Sequence, residues 1–142
     1  MKNLFFIAAI VFGMIGCKTK KIESGSADYM LLNETTWEVV ALDKKPLEGA
    51  QNKPVITFNT SEMRISGSGG CNRISGVINA QSGSDRISFG PTIATRMACI
   101  NMEAEITFLN LLEKVACFKI ENNKLTLYDS NRNELMSFVQ KN

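Results

Sequence analysis

The chain contains no histidine. That absence excludes Ser-His-Asp and Cys-His catalysis, and any histidine-ligated metal site, within this chain. It also lacks an excess of charge of either sign: sixteen Lys and Arg against fourteen Asp and Glu give a formal net charge of +2. A nucleic-acid binder would gather a basic excess on one face, so no nucleic-acid partner is expected. The apolar run Leu4–Ile15 has only 12 residues, where a membrane-spanning helix needs about 20. The chain of 142 residues, 44% hydrophobic and 21% charged, suits one globular domain.

The short apolar run follows Lys2 and is closed by the small Gly16. A basic start, a short apolar stretch and a small residue at the end describe a secretory signal peptide over residues 1–16. Cys17 comes next. The stretch "MIGC" resembles a bacterial lipobox, which implies that Cys17 is lipidated and becomes the mature N-terminus. Several acyl chains anchor stably where one is marginal. Lys18 is not the aspartate that, by resemblance to enterobacterial rules, keeps a lipoprotein in the inner membrane. The expected address is the outer membrane, on its periplasmic face. No acidic patch of the surface-export kind follows Cys17.

Residues 17–34 read as the lipidated cysteine and a flexible tether. Its sixteen residues 18–33 show no apolar period and would reach about 20–25 Å as a coil. Lys18, Lys20 and Lys21 read first as a solvated leader and second as a contact for anionic lipid heads.

The domain is expected over residues 35–142. "TWEVVALD", "KPVITFN", "EMRISGS", "RISGVIN" and "DRISFG" are β-rich stretches separated by turn signals. Alternation puts Met63 and Ile65 on one face, Ile74, Gly76 and Ile78 on another, and Ile87 with Phe89. Residues 101–116 change period. Ile106, Leu109, Leu112 and Val115 recur at steps of three, with Phe108 and Leu111 widening the stripe, which predicts an amphipathic helix. Asn101 is its expected N-cap, Glu103 and Glu105 lie in its first turns, and Lys114 in its last, all favouring the macrodipole. "CFKIE", "KLTLYD" and "ELMSFV" complete eight strands, the first two joined through Asn122-Asn123, a dipeptide that tolerates positive φ in a tight hairpin. The predicted fold class is mainly β: a small antiparallel, barrel-like, strongly coiled sheet of about eight strands with one packed helix, whose closure would remove exposed edges. Trp37, Ile65, Phe89, Leu109 and Leu127 are expected to share one core.

The glycine run "GSGGCN", Gly67–Asn72, is not a phosphate loop, because Arg73 and another strand follow where a P-loop needs Gly-Lys-Ser/Thr opening a helix. Ser68 has no histidine to activate it. Glycines at a hairpin serve positive φ or close backbone approach. The elements "GSGGCNRISG", then "TRMAC" at 95–99, then Glu105 and "FLNLLEKV", then "NNKLTLYD", together with Trp37, resemble the META domain of HslJ-like heat-shock lipoproteins over roughly Thr35–Val139. The resemblance implies a small, mainly β domain on a lipoprotein of the stressed envelope, with no catalytic residue, cofactor or metal. Gly67, Gly70, Asn72, Thr95 and Met97 fall in its two central elements and are the candidate binding surface.

The two elements each carry a thiol. Cys71 and Cys99 are read as a clasp that fastens the pre-helix loop to the hairpin, because export permits disulfides and lipidation of Cys17 leaves an odd number of thiols. Cys117 opens a strand and behaves as a small apolar residue. Two buried reduced thiols side by side are the alternative. Asn72 would adopt a left-handed conformation or bond loop carbonyls. Two functions follow. One is a non-catalytic envelope protein that binds a macromolecular partner or client. The other is a carrier or sensor of an apolar ligand such as a lipid chain held within the barrel. An enzyme would have only Asp and Glu pairs to draw on, and Glu103 and Glu105 do not share a helix face.

Overall fold

The computed structural model describes residues 28–141. The expected signal peptide, Cys17 and most of the tether lie outside the described residues. Eight antiparallel strands form the wall: β1 (Thr36–Leu42), β3 (Val55–Asn59), β4 (Arg64–Ser68), β5 (Arg73–Ala80), β6 (Ile87–Phe89), β8 (Cys117–Glu121), β9 (Lys124–Tyr128) and β10 (Glu134–Gln140). They run in the order β6-β5-β4-β3-β1-β10-β9-β8. Two-residue strands β2 (Lys45–Pro46) and β7 (Ile93–Ala94) hang on β1 and β5. All eight wall strands coincide with the stretches expected from the sequence. β2 and β7 were not expected, since two residues are too short to show alternation.

The path almost closes on itself. An antiparallel bridge joins Arg86 to Cys117 across the seam between β6 and β8. The Ile87 N–H donates to the Ala116 carbonyl at 3.2 Å, and the Phe118 N–H to the Asp85 carbonyl at 2.9 Å. Arg132 forms an ion pair with Asp85 beside them. A nearly closed barrel leaves little free edge for foreign strands to join.

Alternation fills the interior. Ile74, Gly76 and Ile78 are buried along β5 while Arg73 and Val77 face out. Ile65 packs inward from β4, but Met63 is a half-buried turn residue at φ 51° and does not share that strand's face. Trp37, Ile65, Phe89 and Leu127 lie in the core, with Leu109 partly buried against it. Phe58 and Phe89 meet with ring centroids 6.2 Å apart, and Phe108 of the helix meets Phe138 of β10 edge-on at 6.5 Å. Such pairings add to area burial. The β8–β9 hairpin turns through Asn122 and Asn123 at φ 50° and 59°, the left-handed pair that matches strand twist.

Four expectations need correction. The helix α1 spans Glu103–Leu112, shorter than expected, because the Lys114 and Val115 N–H groups donate to carbonyls three residues back and tighten the end; Val115 is buried beyond it and Lys114 is not in its last turn. Met102 is the N-cap, with no side-chain cap, although Asn101 Oδ1 accepts weakly from the Glu103 N–H at 3.3 Å. Ile106, placed on the apolar stripe, is 54% exposed, while Glu105 is buried. Finally, the ordered body starts before residue 35. A 3-10 helix, Tyr29–Leu32, is capped by Asp28 and inserts Leu32 fully into the core. Asn33 Oδ1 accepts from the Thr60 N–H at 2.9 Å, so this segment is fixed at the β3–β4 turn and is no part of a tether.

Candidate functional site

The two singled-out elements meet at one end of the barrel. The glycine run forms the β4–β5 turn, and Thr95–Cys99 lies in the exposed loop between β7 and the helix. Cys71 and Cys99 are joined by a disulfide with Cα atoms 6.1 Å apart. Cys117 is buried and, among the described residues, is the free cysteine.

Beneath the disulfide lies a buried carboxylate. Glu105 is 4% exposed and Asn72 is 2% exposed. Glu105 Oε2 accepts from the Asn72 N–H at 2.6 Å and from the Cys71 N–H at 2.9 Å. Its Oε1 accepts from the Asn72 side-chain amide at 2.6 Å. The other end of that amide works upward. Asn72 Oδ1 accepts from the Met97 N–H at 2.7 Å and from the Thr95 hydroxyl at 2.8 Å, and Nδ2 also donates to the Met97 carbonyl at 3.4 Å. Thr95 Oγ1 in turn accepts from the Arg73 N–H at 3.1 Å. Asn72 therefore bonds a loop carbonyl, one of the two expected roles; its φ is not positive, so the left-handed alternative does not hold.

A buried carboxylate is tolerated only when its charge is well bonded. Burial by itself would push the Glu105 carboxyl up; the Asn72 N–H, the Asn72 amide and the Cys71 N–H outweigh it and hold the group below its ordinary value. These are charge-assisted bonds, short and about twice as strong as neutral ones.

The glycines make room for this arrangement. A Cβ on Gly69 would lie 2.7 Å from Glu105 Cγ and 2.8 Å from its Oε2, so any larger residue would push the carboxylate off its donors. A Cβ on Gly67 would overlap the Val55 carbonyl on the neighbouring strand. Gly70, at φ 117°, turns the chain over the Asn52 carbonyl. Thus Gly67 and Gly70 shape the turn, Asn72 and Thr95 are linkers, and Met97 contributes its backbone while its side chain is 63% exposed.

Glu105 escaped the sequence reading as a site residue. Its place near the helix start suits the macrodipole, yet its spacing to Phe108 and Leu112 puts it on the same stripe as those buried residues, and that spacing is the available signal. Beside the clasp an open groove of about 510 Å³ runs between the N-terminal half of α1 and the β1–β2 hairpin; Leu42, Leu47, Asn101, Ala104 and Thr107 line it. Among the described residues no group of three or more Cys, Asp or Glu side chains gathers to hold a metal. No described helix is long and apolar enough to cross a membrane.

The family model of the META domain matches residues 30–142. A protein from Burkholderia xenovorans solved by NMR is similar at 25% identity and TM-score 0.62, over 79% of this chain and 85% of that one. A second NMR structure is similar at 26% identity and TM-score 0.59, over 78% of this chain and 92% of that one. The crystal structure of a DUF4847 family protein from Bacteroides vulgatus ATCC 8482 has TM-score 0.56 at 18% identity, over 78% of this chain and 94% of that one, and shows likeness of fold alone. No curated protein matches the chain.

Proposed function

The chain belongs to the META domain family, and on that footing we propose that it is a non-catalytic envelope lipoprotein, held on the outer membrane by acylated Cys17, which binds a macromolecular partner or client beside its clasped end. The observation that carries this reading is the groove between α1 and the β1–β2 hairpin. It is concave, mixes apolar Leu42, Leu47 and Ala104 with polar Asn101 and Thr107, and adjoins a loop held rigid from below. Binding residues concentrate on loops positioned by a rigid scaffold, and concave sites with a few polar groups are the usual ligand clefts. A groove between a helix and a hairpin suits an extended segment of another chain.

The alternative, a carrier of an apolar ligand, has less support. Phe58, Phe108, Phe118, Phe138, Ile56, Leu125 and Met136 are fully buried in the barrel, and a small barrel packed with side chains has its interior already occupied.

The test is site-directed photo-crosslinking in intact cells. A photoreactive residue at Thr107 should yield a discrete protein adduct, and one at Lys124 on the distant β8–β9 hairpin should not. The adduct should disappear when Ala50, which also lines the groove, is enlarged to Trp. Equal labelling from both positions, or none from Thr107, contradicts the reading.

A further inference from the structure

The clasped loop carries apolar side chains that the fold does not use. Ile93 is 73% exposed and Met97 63% exposed, and Ile100 stands wholly free. These side chains have no route inward. The Met97 N–H is bonded to Asn72, the Thr95 N–H donates to the Arg73 carbonyl at 3.0 Å, and Cys99 is tied to Cys71. The backbone thus holds three large apolar groups in water within eight residues of chain, and exposed apolar groups rimmed by polar residues mark interaction sites.

Within the loop itself the charge has one sign, the exposed Glu103 coming only where the helix begins. Residues 93–102 contain Arg96 and no acidic residue. Arg73 is bonded through its backbone to Thr95 and is exposed. Among the described residues neither arginine forms an ion pair, the salt bridges there being those of Lys119, Arg132 and Lys141.

We infer that this tip docks on an anionic lipid surface, with Met97 and Ile100 entering the headgroup boundary and Arg73 and Arg96 pairing with lipid phosphate. Apolar groups flanked by cations are the chemistry of interfacial attachment, and guanidinium groups match phosphate oxygens in a bidentate manner. The tip is a convex loop with few apolar groups. A stable protein interface buries about 800 Å² on each partner with close shape complementarity, whereas a bilayer surface demands no matching shape. The inference goes beyond the groove reading and uses different residues.

The reach of the N-terminal segment allows it. The chain enters the domain at the β3–β4 turn, where Asn33 bonds Thr60. The clasp lies at the far end of the five-residue strand β4, about 16 Å away. Between Cys17 and Asp28 stand ten residues, 18–27, which span at most about 33–36 Å. That is enough for the barrel to lie over with its tip on the leaflet that holds Cys17.

The experiment places a tryptophan at the tip. Met97→Trp and, separately, Ile100→Trp protein is reconstituted in vesicles of phosphatidylethanolamine and phosphatidylglycerol carrying brominated acyl chains. Buried Trp37, 2% exposed, serves as the unquenched baseline. Bromine quenching should rise several-fold over a Lys124→Trp control, should require phosphatidylglycerol, and should fall at least by half with Arg73→Glu/Arg96→Glu. If the chain proves not to be acylated, the lipoprotein reading fails by itself; adding the same vesicles to the soluble chain then reads the tip directly, with the same expected quenching. Quenching no greater than the control in both tip variants overturns the inference, as does quenching indifferent to lipid charge. A photoreactive residue at Met97, which does not line the groove, that captures protein instead of lipid in native envelope fractions also overturns it, in favour of a protein partner.

Discussion

Asn72 and Glu105, 33 residues apart in sequence, are joined twice: side-chain amide to Oε1 at 2.6 Å and backbone N–H to Oε2 at 2.6 Å. The carboxylate fixes which way the Asn72 amide points, and the amide then presents its oxygen to the Thr95 hydroxyl and the Met97 N–H. One buried acid therefore sets the position of a loop that it does not touch.

Breaking that pair should be costly. Glu105→Ala leaves buried N–H groups of Cys71 and Asn72 without an acceptor, at roughly 1–3 kcal/mol for each group stranded, so a loss of about 2–5 kcal/mol is expected in denaturant unfolding. Glu105→Gln is milder but not neutral. Its amide NH₂ would face the Asn72 NH₂, and turning Asn72 to relieve that clash removes the acceptor from Met97. Asn72→Asp sets two carboxylates against each other, so that one must hold a proton; this variant should regain stability on acidification while the native protein loses it.

The native pH dependence has a definite sign. The Glu105 carboxyl is held below its ordinary value of 4.5, so the folded state favours the charged form more than the unfolded state does. Its contribution is fully present above about pH 4.5 and is lost as pH falls through the lower, folded value. Asp129, held down by the Asn133 side chain and N–H, adds a slope of the same sign. Glu105→Gln should flatten the decline below pH 4.5 without abolishing it, as read from urea unfolding at successive pH values. An unchanged slope contradicts this account.

The disulfide spans 28 positions. On the chain-entropy model its removal costs about 3.5 kcal/mol, less if it is strained. Cys71→Ser/Cys99→Ser should lower the melting temperature while leaving a folded barrel, because the buried core and the Glu105 bonds do not depend on sulfur. Cys117, 4% exposed, should resist alkylation until the chain unfolds. Peptide mapping without reductant that finds Cys117 bridged contradicts the pairing.

The expected anchor has its own test. Cys17→Ser should release the protein from membranes or block its processing. Normal maturation and continued membrane association in that variant contradict a lipid anchor at this residue.

The sequence made the barrel wall legible because β1, β3, β5 and β6 alternate with period two, while β8, β9 and β10, which bury consecutive residues, are β-rich stretches sharply bounded by turns. β2 and β7 are too short for any period. The segment around Leu32 reads as leader because its four apolar residues, Tyr29–Leu32, are too few to show a period and its helix is a single tight turn. Glu105 was the harder case. An acid near a helix start has a good solvent-facing explanation in the macrodipole, and only its three-residue step to Phe108 hinted at burial. The glycine run signals tight turns and close approach, but what approaches Gly69 is a side chain from α1, which no local pattern reveals.

Native-state hydrogen exchange at the Asn72 and Met97 amides tests most directly the claim that the two family elements rest on one buried carboxylate. The account predicts that both exchange as slowly as the barrel strands, although the Met97 side chain is exposed, and that both speed up together in Glu105→Gln. Exchange at the rate of the open turn Ser82–Ser84 in the native protein, or loss of protection at one amide without the other, would contradict it.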